Sequence, residues 1–108
     1  MHPNIQTQEL VQEMFSEDVV NTMAESFKAL ADPTRLRILA LLFEGERGVS
    51  DIAEHLEVSQ SAVSHQLRIL RTLDIVRYRK DGREVFYQLA DDHVRDILTR
   101  TLEHVLFD

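Results

Sequence analysis

Hydrophobic residues recur at helical spacing through the first part of the chain. Over residues 17–30 they follow one face of a helix. Asp32 and Pro33 then signal a new helix, because aspartate accepts hydrogen bonds at an N-cap and proline fits the first helical position. Residues 34–42 are apolar around most of the helix circumference, which predicts a helix buried in the core. A weaker pattern over residues 9–15 predicts one further short helix.

Two short helices joined by a tight turn follow this core helix. Ser50 is expected to cap the first and Ser59 the second, with the turn at residues 57–58. Each helix has one apolar face, made of Ile52, Ala53 and Leu56 in the first and of Val63, Leu67 and Leu70 in the second. Two short helices joined by such a turn form a helix-turn-helix.

The period of the pattern changes after residue 74. Residues 75–80 and 83–89 are rich in β-branched and aromatic side chains. Asp81 and Gly82 between them are a strong hairpin signal. A last helix is predicted from Asp91 to the C-terminus, with Val94, Ile97, Leu98, Thr101, Leu102 and Val105 as an apolar stripe. A helix-turn-helix followed directly by a hairpin is typical of a winged helix.

The length of the chain supports one domain. It has 108 residues, of which 44% are hydrophobic, so there is material for a single core. We therefore predict a mainly α (α+β) fold, a winged helix-turn-helix over residues 17–108, after a flexible or weakly helical tail at residues 1–16. No apolar run approaches the roughly 18 residues of a membrane span, and the start has no secretion signal, so a cytoplasmic protein is expected. The absence of cysteine excludes disulfides, thiolate metal sites and cysteine nucleophiles.

The net charge of −7 conceals a positive segment. Residues 59–87 contain six basic and three acidic residues, a balance of +3, whereas the rest of the chain contains six basic and sixteen acidic residues, a balance of −10. The six basic residues are Arg68, Arg71, Arg77, Arg79, Lys80 and Arg83. A basic segment on an acidic body favours a small surface that contacts DNA.

The polar residues of this segment suit double-stranded DNA. The outward face of the second helix of the helix-turn-helix presents Gln60, Ser61, Ser64, His65 and Arg68. Side chains of this kind read base edges when such a helix enters the major groove by its N-terminal half. Arg68 and Arg71 lie farther along, where phosphates would pass. The hairpin tip adds Arg79, Lys80 and Arg83, which suit contact with the DNA backbone or the minor groove.

Two segments resemble a known family. They are ALADPTRLRIL at residues 29–39 and VSQSAVSHQL at residues 58–67. Together they closely resemble the ArsR/SmtB family of metal-responsive repressors, and the resemblance extends over residues 19–106. It implies a homodimer with the first and last helices at the interface, whose metal-free form binds an operator and whose metal-bound form releases it. It also assigns base reading to Gln60, Ser61, Ser64 and His65.

The last helix carries candidate metal ligands at both ends. His93 and His104 are eleven residues apart in the sequence, which places them about 16 Å apart along a helix. Because a Zn–N bond is about 2.0–2.1 Å, the two histidines of one chain cannot bind the same ion. If the helix pairs antiparallel with its copy, Asp91 and His93 of one chain meet His104 of the other. Two-fold symmetry then creates two identical sites.

The resemblance supports this ligand set, with one departure. Zinc sensors of the family have Asp-x-His near the start of this helix and His-x-x-Glu or His-x-x-His near its end. Asp91, His93 and His104 match three of these positions, but Phe107 occupies the fourth. Asp108, four residues after His104, is the substitute that we expect, with the terminal carboxylate or a water as alternatives.

The available donors indicate which ion would bind. Residues 46–51, where other members of the family place cysteines, contain no thiol, which argues against cadmium, lead and arsenite. Nitrogen and oxygen donors favour Zn²⁺ first, then Co²⁺ or Ni²⁺, and His2 is a candidate additional ligand for the latter two.

Three alternatives remain open. The first is a winged-helix repressor of the same fold that responds to a small molecule or to no ligand, which the departure at Phe107 favours. The second is a hydrolase, which is disfavoured because the chain has no nucleophile elbow and no phosphate-binding loop. The third is a module for dimerisation alone, which would leave the basic hairpin without a role. We therefore predict a DNA-binding protein rather than an enzyme.

Overall fold

The computed structural model describes residues 5–107. Within these residues the chain forms six helices and three strands, and the mainly α winged helix-turn-helix predicted from the sequence is confirmed. The elements in chain order are α1 (Ile5–Met14), α2 (Glu17–Leu30), α3 (Pro33–Leu42), β1 (Arg47–Gly48), α4 (Val49–Leu56), α5 (Gln60–Thr72), β2 (Val76–Asp81), β3 (Glu84–Leu89) and α6 (Asp92–Phe107).

Side-chain caps mark the starts of α2, α3 and α5. The Asp32 Oδ2 atom accepts a hydrogen bond from the Arg35 N–H at 2.9 Å, and Pro33 is the first residue of α3. The Ser59 hydroxyl accepts from the Ala62 N–H at 3.0 Å, directly before α5. Both predicted caps are therefore confirmed. Ser16 caps α2 in the same way, which the sequence pattern did not single out. The first helix is longer than predicted, since α1 begins at Ile5.

The prediction that Ser50 caps the first helix of the helix-turn-helix is wrong. That helix, α4, begins at Val49, and its N-cap residue Gly48 has no side-chain cap. Gly48 lies in β1, so the chain passes directly from strand to helix. The Ser50 hydroxyl instead donates a hydrogen bond to Glu84 Oε1 at 3.0 Å, across to β3.

The hairpin turn lies one residue farther along than predicted. The strands β2 and β3 pair as far as Asp81 and Glu84, which leaves Gly82 and Arg83 as the two-residue loop. Gly82 has a φ of 63°. Glycine adopts this left-handed conformation without the steric cost that a side chain would bring, as the first position of a tight hairpin turn often requires. We call the β2–β3 hairpin the wing.

The wing belongs to a three-stranded antiparallel sheet in the order β1–β3–β2. The short strand β1 was not predicted. Its Gly48 pairs with Phe86 of β3, which pairs in turn with Arg79 of β2. The next row is Arg47, Tyr87 and Tyr78. Because side chains alternate between the two faces of a sheet, the two rows point to opposite faces.

The buried core is formed mainly by side chains of α3, α4, α5, β2 and β3. Its largest fully buried side chains are Ile38, Leu39, Leu42, Ile52, Val63, Leu67, Leu70 and Val76. By contrast, α6 has no buried residue, and only Ala29 of α2 is buried. These two helices expose Val19, Val20, Met23, Phe27, Ile97, Leu102, Val105, Leu106 and Phe107. No helix within residues 5–107 is both long and apolar enough to cross a membrane.

The Asp32 cap gives a direct test of how α3 begins. Asp32→Ala removes the acceptor of the Arg35 N–H, so we expect the free energy of unfolding to fall by about 0.5–2 kcal/mol. Asp32→Asn keeps a side-chain oxygen acceptor at the same position and should lose much less. Urea unfolding at one fixed protein concentration measures both variants. Equal losses in the two variants would contradict a capping role.

Candidate nucleic-acid interface and metal donors

The buried face of α5 fixes the direction of its polar face. Val63, Leu67 and Leu70 are at most 1% exposed and hold the helix against the core. The polar residues predicted to face DNA lie on the other side, where Gln60, Ser61, His65 and Arg68 are exposed and Ser64 is half-buried. The structure therefore brings these five predicted residues together on one accessible surface.

A concave site of about 260 Å³ lies between α5 and the wing, and we call it the α5–wing cleft. It is lined by Val49, Ser64, Arg68, Arg71, Tyr78, Lys80, Val85 and Tyr87. Three of these residues are cations and none is acidic. An anion of the size of a phosphate would meet positive charge from both the helix and the hairpin.

An aromatic ring lies against one cation of this cleft. The Arg71 guanidinium carbon lies 4.6 Å from the centre of the Tyr78 ring, close enough for a cation–π interaction. The Tyr78 ring in turn lies 5.8 Å from the Tyr87 ring, measured between centres. Burial raises the pKa of Tyr87, so its hydroxyl remains protonated at neutral pH.

The three predicted cations of the hairpin differ in their surroundings. Arg79 donates from Nε to both carboxylate oxygens of Glu46, at 3.0 and 2.9 Å, and from Nη2 to Oε1 at 2.7 Å. Hydrogen bonding from Arg79 lowers the pKa of Glu46, and the same contact raises the pKa of Arg79. Within residues 5–107, no carboxylate lies within 4.0 Å of a nitrogen of Lys80 or Arg83.

Sequence reasoning missed three residues that contact the rest of the structure around the wing, namely Glu46, Ser50 as the partner of Glu84, and Glu84 itself. Each makes a contact between residues more than thirty positions apart in the chain. The contacts depend on β1, and a strand of two residues leaves no periodicity to detect. The one local signal was Gly48, where a side chain would meet Glu84 Oε2 at 3.1 Å.

Two of the predicted metal donors lie together at the start of α6. Asp91 Oδ1 accepts a hydrogen bond from the Val94 N–H at 3.0 Å, and Asp91 Oδ2 lies 3.7 Å from His93 Nδ1. The backbone hydrogen bond from Val94, followed by the nearby His93, lowers the pKa of Asp91. The side chains of Asp91 and His93 are 53% and 92% exposed. Both are therefore accessible to an ion or to a second chain.

The other predicted donors are separate from this pair. His104 lies near the opposite end of α6, eleven residues from His93, which corresponds to about 16 Å of helix. No group of three or more His, Cys, Asp or Glu side chains within residues 5–107 is arranged to hold an ion. Asp108 and His2 lie outside the described residues. Asp91 and His93 are therefore too far from His104 of the same chain to share one ion with it.

Known proteins resemble this chain in both sequence and fold. The family model described as bacterial regulatory protein, arsR family, matches residues 32–78. A transcriptional repressor SmtB homolog from Synechocystis is 47% identical, over 93% of this chain and 76% of that protein. A cadmium resistance transcriptional regulatory protein, a CadC homolog from Staphylococcus aureus, is 43% identical, over 76% of this chain and 69% of that protein.

A solved structure agrees with these relatives. The homodimeric winged helix-turn-helix DNA-binding domain Mb0332 from Mycobacterium bovis superimposes with a TM-score of 0.77. It is 30% identical, over 82% of this chain and 85% of that chain. The resemblance inferred from the two sequence segments is thus confirmed, as is the prediction that the chain is not an enzyme. The chain belongs to the ArsR family of bacterial regulatory proteins, which are transcriptional regulators.

Proposed function

We propose that this chain binds double-stranded operator DNA as a homodimer, represses transcription, and releases the operator when it binds a metal ion, most readily Zn²⁺. One observation carries the DNA part of the proposal. The outward face of α5, with Gln60, Ser61, Ser64, His65 and Arg68, is called here its polar row, and it adjoins the α5–wing cleft. Three cations line that cleft and no acidic residue does. On a chain with a net charge of −7, such a surface is the place where a polyanion is attracted rather than repelled.

The residues divide into two roles toward DNA. Gln60, Ser61, Ser64 and His65 lie in the N-terminal half of α5 and are the ones that we assign to base edges in the major groove. Arg68, Lys80 and Arg83 are assigned to phosphates, together with Arg71 in the α5–wing cleft. Phosphate contacts set the register of the protein on the duplex, and base contacts provide its sequence preference.

The exposed apolar faces of α2 and α6 support a homodimer. A contiguous apolar surface of this kind marks an interaction site in a protein that is otherwise strongly charged. A second copy is the occupant that we propose, because the related domain from Mycobacterium bovis is homodimeric. A two-fold axis would place two copies of α5 side by side, which suits an operator with two half-sites.

The donors on α6 fit a metal ion shared between two chains. Asp91 and His93 from one chain, with His104 and Asp108 from the other, supply the oxygen and imidazole ligands that suit Zn²⁺, and also Co²⁺ or Ni²⁺. When bound, the ion supplies a cross-link between the two α6 helices. The chain contributes orientation, because Asp91 caps α6 through Val94 and is held beside His93. Coupling is reciprocal, so operator DNA must weaken metal binding by the same factor.

A specific observation favours a second candidate function. Phe107 stands where the family's fourth ligand is expected, and its side chain is exposed and cannot bind a metal. A repressor of the same fold that responds to a small molecule, or to no ligand, needs no metal ligand at this position and would tolerate phenylalanine there. Operator affinity that is unchanged by zinc would establish this alternative.

Loss of one cation tests the phosphate role. Arg68→Gln should weaken binding to every duplex and reduce the slope of log K against log salt by about 0.9, since one phosphate contact is lost. The measurement is fluorescence anisotropy over a salt series, on a duplex selected from a randomised library and on a random-sequence duplex. Arg100→Gln removes an exposed cation from α6 and serves as the matched control with an unchanged slope.

Gln60→Ala provides the contrasting case on the same helix. It should leave the salt slope intact and reduce discrimination against mismatched duplexes by roughly 1–3 kcal/mol, because a base contact is lost.

An Arg68 variant with an unaltered slope would contradict the assignment of this residue to phosphate.

Zinc binding across two chains can be tested by complementation. His93→Ala and His104→Ala should each abolish the loss of DNA affinity that zinc causes in the wild type, a loss we expect to be about 5- to 150-fold. In a mixed dimer of the two variants, one of the two sites regains all its histidines. Zinc titration of mixed dimers should therefore recover one ion for each pair of chains.

The control for the zinc experiment is His55→Ala. His55 is an exposed histidine on α4 that bonds to Asp51, away from α6, so this variant should respond as the wild type does. Mixed dimers that bind no more zinc than either variant alone would exclude a site shared between chains.

A further inference from the structure

We propose that Arg79 is a positioning residue that latches the wing to β1 through Glu46, and that it does not contact DNA. The inference rests on the proposed DNA-binding function and revises the role that the sequence suggested for this cation. We call Glu46, Arg79 and Phe86 the wing latch. Three hydrogen bonds from Arg79 to one carboxylate, the longest 3.0 Å, carry the argument.

The latch spans the whole width of the sheet. Gly48, Phe86 and Arg79 form one row across β1, β3 and β2. The Arg79 side chain crosses Phe86, with its guanidinium carbon 4.8 Å from the centre of the ring, and reaches Glu46 just before β1. A Cβ at Gly48 would lie 3.1 Å from Glu84 Oε2 and 3.4 Å from the Phe86 ring, so this row leaves little space for a side chain on β1.

Arg79 and the cleft cations lie on opposite faces of the wing. Tyr78 and Lys80 line the α5–wing cleft, and Arg79 stands between them in β2. Because neighbouring residues of a strand point to opposite faces, Arg79 points away from the cleft and from the polar row of α5. Its Glu46 partner also neutralises its charge, so it offers a phosphate much less attraction than Lys80 does.

The far end of the latch is itself anchored. Arg47, the residue after Glu46, donates from Nε to the Leu41 carbonyl at 3.1 Å and from Nη1 to Asp51 at 2.8 Å. It also pairs with Glu44. These contacts tie β1 to α3 and α4, and the hydrogen bonds to Asp51 and Glu44 raise the pKa of Arg47. Glu46 therefore joins the hairpin to the body of the helix-turn-helix.

This attachment has a consequence for DNA binding. The α5–wing cleft is lined by three residues of α5, four of the hairpin and one of α4, so its cations converge only while the hairpin keeps its angle to the helix. The latch restrains that angle from the face opposite the cleft, and the bond from Ser50 to Glu84 adds a separate restraint between α4 and β3. A hairpin released from β1 would still carry Lys80 and Arg83 but would present them less well oriented.

A double-mutant cycle tests the latch, because the two roles predict opposite signs for one variant. If Arg79 positions the wing, Glu46→Gln and Arg79→Gln each weaken binding to the selected duplex by about two- to fivefold, the range of one surface ion pair. The double variant then binds DNA no more weakly than either single variant does, and the slope of log K against log salt stays at the wild-type value. If Arg79 contacts phosphate, Glu46→Gln tightens binding and Arg79→Gln reduces the slope by about 0.9.

Glu54→Gln is the charge-matched control for the acidic variant. Glu54 is exposed on α4 and has no ion pair among the described residues, so its variant adds the same net charge without releasing the wing. The latch predicts that Glu46→Gln binds DNA more weakly than Glu54→Gln. Equal or tighter binding by Glu46→Gln overturns the proposal.

A measurement without DNA separates this inference from the proposed function. In the wild type the Arg79 Nε–H should give a distinct NMR signal that exchanges slowly with water, and Glu46→Gln should abolish it and shift the Gly82 and Phe86 amides. If the wild type selects no duplex, DNA binding fails and these signals alone decide whether the wing is latched. Unchanged amide positions in Glu46→Gln overturn the latch in either case.

Discussion

Burial of one face of α5 is the constraint on which the rest of the site depends. Val63, Leu67 and Leu70 recur at helical spacing and are almost fully buried. A shift by one residue would turn the helix by about 100° and bring polar side chains into the core, so its orientation is fixed. The same packing that stabilises the domain therefore aims Ser64 and Arg68 outward, toward the wing.

Some cations of the chain are paired with carboxylates and stabilise the structure, and others remain available to contact DNA. Arg47 and Arg79 are engaged by carboxylates and hold β1 and the wing in place. Lys80 and Arg83 lie on or beside the same hairpin without such partners within residues 5–107. With most of the acidic residues outside the segment from Ser59 to Tyr87, the remaining surface repels a duplex and only one orientation brings it close. Acidic composition and DNA binding are thus compatible in one small domain.

Local features of the sequence were sufficient for most of the fold. Helical periodicity, the caps at Asp32 and Ser59 and the Asp-Gly signal depend on residues within a few positions of each other. The contacts of Ser50 with Glu84 and of Arg79 with Glu46 join residues 34 and 33 positions apart, and the two residues of β1 pair with residues 40 and 38 positions away. No local pattern encodes these contacts. The metal donors are a different case, because the convergence that we propose for them requires a second chain.

Selection from a randomised duplex library with the wild-type protein tests the proposed reading of DNA by α5 most directly. We expect an enriched inverted repeat whose half-sites lie one helical turn apart or a multiple of it, with α5 of each chain protecting one major groove. Enrichment should disappear when Gln60, Ser64 and Arg68 are replaced together by alanine, while the fold is retained. A library that shows no enrichment with the folded wild type, or equal enrichment with the triple variant, would contradict the account.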